Sequence, residues 1–467
     1  MDYLTAKEAA IKWGMEIRQV QAACESGRVE SATRKGHMWL IHKDAPKPLD
    51  GRTKAAKQVK KYTLTGNGLT GNYYDLRLYD RALLTFKLTS GNLGGYAASI
   101  TKIGESRNLL PLDLDLDGDG IMKWLERRVI PKNRTFVEAI LRSFGLAIGN
   151  TKGIIDVCKG LSLNDSYWIV PAGFEGKFTD YNLYENRFSE ILSLVAYTGI
   201  TQSDTAFSTS PELTTNGLLP KAWRFIDSEG IFLYKSGTSG TANTGREPYC
   251  EYYASQVAAA MNIRVVHYDL EYWKGILASK CKLFTDIDTA FVPIGRIVKS
   301  GGISAVVDYY DELGDKYADA VRDMLVFDAL TYNEDRHFGN FGLLRNNHTG
   351  EIIAPAPIFD NGISLFNFAM PDDYASLDVY AKTRFPAYGN TTFEGICQAY
   401  MTARQIEKLR KVLNFSFERH PNLNLPEEHL SAVEKHLQKR ASRLIGLSKS
   451  RETLTTREDL RHEPVFE

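Results

Sequence analysis

The stretch YNEDRHFGNFGLLRNNHTGEIIAPAPIFDNGISLF, residues 332–366, constrains this 467-residue chain more than any other. Two apolar runs, "FGLL" and "EIIAPAPIF", flank the hexapeptide "RNNHTG", whose Asn, His, Thr and Gly favour a turn. The pattern predicts an antiparallel hairpin with polar outer ends: Asn333–Asn340 before it, Asp360 and Asn361 after it. An antiparallel return brings the chain that leaves Asn340 back at Asp360, so an amide oxygen and a carboxylate share one place. Hard oxygens with room for waters and phosphate are what Mg2+ accepts.

The spacing around this hairpin adds chemistry. Asp335 precedes Asn340 by five residues, the offset of the catalytic loop H-R-D-x-x-x-x-N, where the Asp orients the attacking hydroxyl and the Asn holds Mg2+. Asp360-Asn361-Gly362 has the D-x-G form of a metal-binding Asp. Upstream, predicted strands over Ala222–Ile226 and Ile231–Lys235 leave Lys235 at a strand end, and Glu251 opens a predicted helix. A Lys on the nucleotide phosphates, oriented by a helix Glu, completes the set, because phosphoryl transfer needs positioning and charge neutralisation more than covalent chemistry. The run "DAVRDMLVFDALTYN" predicts the buried helix that delivers the loop. An isolated D-R-H means little. The combination, in this order, outweighs a reading as satisfied surface carboxylates.

Length alone predicts two or three domains. Hydrophobic content of 43% and charge of 24% suit a globular chain with zero net charge. Residues 1–60 nevertheless hold twelve Lys or Arg against seven Asp or Glu, so nucleic acid is a candidate partner for this module only. Five scattered cysteines without C-x-x-C spacing argue for a reducing compartment. No apolar run approaches the roughly 20 residues that span a bilayer, and "MDYLTAKEAA" is not a signal peptide. A cytoplasmic location without membrane partners is expected.

The module has its own punctuation. Thr5 and Glu8 form a capping-box pattern for a helix from Ala6 to about Trp13. Gly14 ends it, and a second helix follows over Glu16–Glu25 with Ile17, Val20 and Cys24 on one side. A hairpin turning at Lys35-Gly36 comes next, closed by Pro46 and Pro48. A helix, a short Gly turn and a second helix outline a helix-turn-helix. The block resembles the excisionase-like winged helix-turn-helix family related to MerR regulators. That resemblance implies DNA contacts at Arg18, Gln19 and Gln21 on the second helix and at Arg34 and Lys35 on the wing. A small docking domain with a solvated basic face is the alternative.

Residues 115–126, "DLDGDGIMKWLE", match the calcium-loop pattern through Asp115, Asp117, Asp119, Gly120 and Glu126. No entering helix precedes them and no second loop pairs with them. The favoured reading is an acidic cap on the helix Ile121–Arg128.

"NEDRHFGNFGLL", "FDNGISL", "TTNGLLPKAW", "FLYK" and "EYYASQVAAAMNI" together resemble the HipA family of serine/threonine kinases. The D-R-H-x-x-N arrangement is also similar to that of phosphatidylinositol kinases. The motifs span Thr205 to Leu365, and the general architecture extends to about residue 450. The resemblance implies an α+β, two-lobed kinase fold. The domains would be a helix-turn-helix at 1–52, a linker at 53–61, a small-lobe portion at 62–204, an ATP-binding small lobe at 205–290, a helical catalytic lobe at 291–450 and a charged tail at 451–467.

By the same resemblance Asp335 is the catalytic aspartate, Asn340 and Asp360 bind Mg2+, Lys235 binds ATP phosphates and Glu251 pairs with Lys235. Gly217 and Lys221 belong to the phosphate-binding loop, and Phe284, Thr285 and Asp286 fall at the adenine hinge. His337 lies in the loop that shapes the phosphate site, as a hydrogen-bonded support of that loop or in proton transfer, and Arg336 either neutralises phosphate or braces Asp335. Self-phosphorylation of the phosphate loop is implied, with Ser208, Thr209, Ser210, Thr214 and Thr215 as candidates; a flexible polar loop is the alternative. The implied partners are a protein substrate, DNA and an antitoxin protein. A small-molecule or lipid kinase and a nucleotide-sensing transcriptional regulator remain alternatives. Acceptor specificity is expected in the surface between the lobes and in the loop 366–395.

Overall fold

The computed structural model describes residues 3–25, 29, 32–35, 38–43, 45, 47, 72–90, 95–200, 210–389 and 391–447. The predicted linker at 53–61, the tail at 451–467, Gly36, Pro46, Pro48, Ser208 and Thr209 lie outside the described residues. The chain divides into two units, Met1–Gly71 and Asn72–Glu467.

In the first unit the order is β1 (Tyr3–Thr5), α1 (Ala6–Trp13), α2 (Ile17–Glu25), β2 (Ala32–Lys35) and β3 (Met38–His42). Helix α1 begins where the sequence places it because the Thr5 and Glu8 side chains cap each other's backbone N–H. It ends at Gly14, whose φ of 61° is left-handed and costs glycine nothing. The strands form an antiparallel sheet in the order β1-β3-β2. Ala9, Ala10, Trp13, Val20, Cys24 and Ile41 make the core. Ile17 departs from the predicted apolar side: it is 43% exposed, at the first position of a helix whose buried stripe starts at Val20. Arg18, Gln19 and Gln21 are exposed on α2, and Arg34 and Lys35 lie in β2.

The second unit opens with β4 (Tyr73–Leu78), β5 (Arg81–Ser90) and β6 (Tyr96–Ile103), then α3 (Gly118–Glu126), α4 (Val137–Arg142), α5 (Thr151–Cys158) and β7 (Tyr167–Pro171). These strands form their own antiparallel sheet, β6-β5-β4-β7, over a core that includes Leu76, Phe86, Ile121, Trp124 and Ile169. The acidic run is a helix cap: the Asp117 carboxylate accepts from Gly120 N at 2.7 Å, and Asp115 pairs with Lys299 at 2.8 Å.

After α6 (Glu190–Thr198) come β8 (Lys221–Ile226), β9 (Gly230–Lys235), α7 (Glu247–Ala260), β10 (Tyr268–Trp273) and β11 (Ile276–Lys282). They give a second antiparallel sheet, β10-β11-β9-β8. Helix α7 starts one turn before the predicted start at Glu251. Pro248 sits in its first turn, where the missing N–H and fixed φ of proline are tolerated. The rest includes β12 (Thr289–Pro293), α8 (Gly302–Glu312), α9 (Asp315–Thr331), β13 (Gly342–Asn346), β14 (Ile352–Pro355), α10 (Phe393–Tyr400), α11 (Ala403–Arg410) and α12 (Glu427–Leu447), with two single-turn helices, Pro371–Tyr374 and Leu377–Tyr380, before α10. Helix α9 is the buried delivery helix: Val321, Leu325, Phe327, Ala329 and Leu330 face a core shared with Val257, Ile303, Ile396 and Leu437. No described helix is long and apolar enough to cross a membrane.

Candidate active site

The predicted hairpin is present. β13 pairs antiparallel with β14 in the register Leu343↔Pro355 and Leu344↔Ala354, and Ala356 N extends the ladder to Gly342 O at 3.0 Å. Beyond it Ile358 bridges to the segment after α7, donating to Arg264 O and accepting from Val266 N. This carries Asp360 under the second sheet.

One guanidinium holds both ends of the hairpin. Arg336 donates to Asn340 O at 3.1 Å, to Phe359 O and to the Asn361 side chain, and it pairs with Asp328 on α9 at 3.1 Å. Both ion-pair side chains are 0% exposed. Arg336 therefore braces the loop from the interior. Tyr388 adds a hydroxyl donor to Asp328 at 2.7 Å. Asp328 escapes a sequence reading because nothing marks it among the residues of its helix, and Tyr388 because it stands in a loop far along the chain.

The loop that carries Asp335 follows Tyr332, which ends α9 in a left-handed conformation. Asp335 N is held by Asn333 Oδ1 at 3.1 Å, and Asn340 Nδ2 donates to Asp335 O at 3.0 Å. That bond engages the amide nitrogen of Asn340 and not its oxygen. His337 accepts from Gly339 N at 3.0 Å through Nδ1. Partial burial, and next the negative charge of Asp360, raise the Asp335 carboxyl above its ordinary range.

Lys235 stands in the inner strand β9, directly opposite Ser279 of β11 and Lys221 of β8. Its ammonium donates to Glu251 at 3.0 Å and also to Asp360. Glu251 uses its second oxygen to accept from Asn361 N at 2.6 Å. The predicted Lys–Glu pair is thus extended to the D-x-G aspartate. Burial opposes the charge on Lys235, but Asp360 and Glu251 outweigh it and raise its pKa. Burial also works against the Asp360 carboxylate, yet Lys235 and Lys221 hold it well below the usual range.

Asp360 adopts a φ of 56°, the left-handed region that Asp tolerates better than most residues. Gly362 allows close packing on α7, since a Cβ there would lie 3.2 Å from Glu247 Cβ and 3.4 Å from Glu251 Oε1.

Lys221 is buried and donates to Asn216 O at 3.0 Å. Burial, and then the like charge of Lys235 across the strands, lower its pKa to about 7. Gly217, at φ 91°, lies against it: a Cβ there would stand 2.1 Å from Lys221 Nζ. The segment before β8 is pinned, which the polar composition does not reveal. Arg134 and Glu212 pair at 2.5 Å with neither side chain exposed, and Arg134 also donates to Glu212 O, Thr215 O and Lys221 O. Ser210 and Thr214 are buried here, with the Thr214 hydroxyl donating to Leu161 O at 2.8 Å. Thr215 donates to Pro211 O at 2.7 Å.

At the position expected for the hinge, Phe284 packs on Phe359, the residue before Asp360, with ring centroids 5.3 Å apart. Thr285 is buried with its hydroxyl on Leu163 O, and Asp286 accepts from Asp288 N.

An Asn amide oxygen and an Asp carboxylate are hard donors that suit Mg2+, which keeps waters and substrate phosphates in its remaining positions. Lys221 and Lys235, opposite each other across β8 and β9, are cations of the kind that hold phosphate oxygens.

No protein-family model matches the chain, and no curated protein matches it. Solved structures do. HipA of Shewanella oneidensis MR-1, determined with HipB and operator DNA, is 15% identical, with a TM-score of 0.52 over 82% of this chain and 100% of that one. The Helicobacter pylori proinflammatory kinase CtkA is 20% identical, with a TM-score of 0.38 over 50% of this chain and 93% of that one, an overlap too loose to add to the first. The chain has a mixed α+β architecture similar to that of HipA.

Proposed function

We propose that the chain is a kinase that uses ATP and Mg2+ to phosphorylate a protein Ser or Thr hydroxyl. The observation that carries this reading is the bridge made by Lys235 between Glu251 and Asp360, beside the loop that holds Asp335 and Asn340. Asn340 and Asp360 would hold Mg2+, which when bound neutralises charge on the transferring phosphoryl group. Lys235, oriented by Glu251, and Lys221, beside Gly217, would hold the nucleotide phosphates. Asp335, which is exposed, would orient the acceptor hydroxyl and take its proton, a task that its raised pKa favours. Incubation with γ-labelled ATP, with and without a protein acceptor, tests the reading; label passing only to small hydroxyl compounds contradicts it.

For the first unit we propose DNA binding through Arg18, Gln19 and Gln21, which α2 leaves exposed. HipA of Shewanella was determined with operator DNA and HipB, which supports asking the same of this chain. A salt-dependent gel shift that Arg18→Ala weakens is the expected result, and no shift at low salt contradicts it.

A further inference from the structure

We propose that Phe385 is a specificity-determining residue that receives an apolar side chain of the polypeptide acceptor beside its phosphorylated hydroxyl. The inference rests on the kinase reading above and deepens it. Phe385 is 53% exposed, and single exposed aromatics need no explanation. Its setting is what needs one. The residue before it, Arg384, pairs with Glu334 at 2.8 Å, and Glu334 is the neighbour of Asp335. Three residues after it, Tyr388 donates to Asp328 at 2.7 Å, and Asp328 holds Arg336, the other neighbour of Asp335.

The segment is therefore tied to both flanks of the catalytic aspartate, and Phe385 lies between the ties. Arg384 is held further by packing over the Tyr380 ring at 4.7 Å. Pro386 and Tyr388 are buried while Phe385 is left out, so the chain presents this ring at a fixed place. The same segment also leaves Met370 and Val379 exposed.

The occupant is a polypeptide. An extended chain advances about 3.3 Å per residue, so an acceptor whose hydroxyl meets Asp335 lays its neighbouring side chains along the surface beside it. A small hydroxyl compound has no neighbours to offer. The ring matches an apolar neighbour, since removing both from water is favourable and neither needs a polar partner.

The test uses the full chain, γ-labelled ATP and a Ser/Thr peptide library with randomised flanks. The wild type is expected to select apolar residues next to the phosphorylated position. Phe385→Ala is expected to lose that selection and to raise the peptide KM at least tenfold relative to the KM for ATP. Phe385→Glu is expected to shift selection to Lys and Arg, a gain that misfolding cannot produce. Transfer by both variants with the wild-type preference overturns the inference and leaves the kinase reading intact. Mg·ATP binding without transfer to any peptide overturns the polypeptide acceptor itself, and with it the protein-kinase reading.

Discussion

Arg336 and Asp328 form an ion pair at 3.1 Å with neither side chain exposed, and the same guanidinium reaches backbone carbonyls on both sides of the β13–β14 hairpin. Removing one partner leaves the other buried and uncompensated, which costs about 3–5 kcal/mol. Arg336→Met and Asp328→Ala should each lower stability by that order in urea unfolding followed by fluorescence. Tyr388→Phe should cost less, about 1.5–3 kcal/mol, the worth of one hydrogen bond to a charged group.

Lys235→Met removes the donor shared by Glu251 and Asp360. Phosphoryl transfer should fall on the order of 10²–10³-fold, the usual loss for a charge-stabilising donor. Glu251→Gln should fall less, because Asn361 N keeps an acceptor. Single-turnover transfer rates compare the two, and equal losses would argue that Glu251 does more than orient Lys235.

Self-phosphorylation, which the resemblance to HipA kinases implies for the segment before β8, should spare Ser210 and Thr214, whose side chains are buried in a segment pinned by Arg134 and Glu212. Peptide mapping after incubation with Mg·ATP checks this. Phosphate on either residue shows that the pinned segment opens during turnover.

Two buried histidines on α12 make stability acid-sensitive. Burial, and then Arg246, lower the pKa of His429 to about 4 from 6.5. Burial also lowers that of His436 to about 4, despite Asp378 at 3.5 Å, which is itself half-exposed. The folded state keeps both rings neutral, while the unfolded chain takes up protons below about pH 6.5. Stability is thus full above that pH and lost progressively down to about pH 4, by about 1.4 kcal/mol per histidine per pH unit. Urea midpoints between pH 4 and 8 measure the slope, and replacing both residues with Gln should flatten it.

The centre of the site is legible in the sequence because its parts are local. Asp335 and Asn340 share one loop, the hairpin between Asn340 and Asp360 is written in two apolar runs and a turn, and Lys235 ends a short strand. What holds the centre is not legible. Asp328 looks like any helix residue, Arg134 lies 78 residues before its partner Glu212, and Tyr388 lies 60 residues after Asp328. Such pairs leave no spacing signature, since only the tertiary fold brings them together. The start of α7 is misplaced for a different reason: a proline reads as a breaker unless it is recognised as a first-turn residue.

The central claim is that Asp335 orients the acceptor hydroxyl beside a nucleotide held by Lys235, Asn340 and Asp360. Asp335→Asn, with γ-labelled ATP transfer and Mg·ATP binding measured on the same preparation, tests it most directly. The account predicts transfer reduced on the order of 10²–10⁴-fold with the nucleotide Kd within a few-fold of wild type. Wild-type transfer by Asp335→Asn would contradict it.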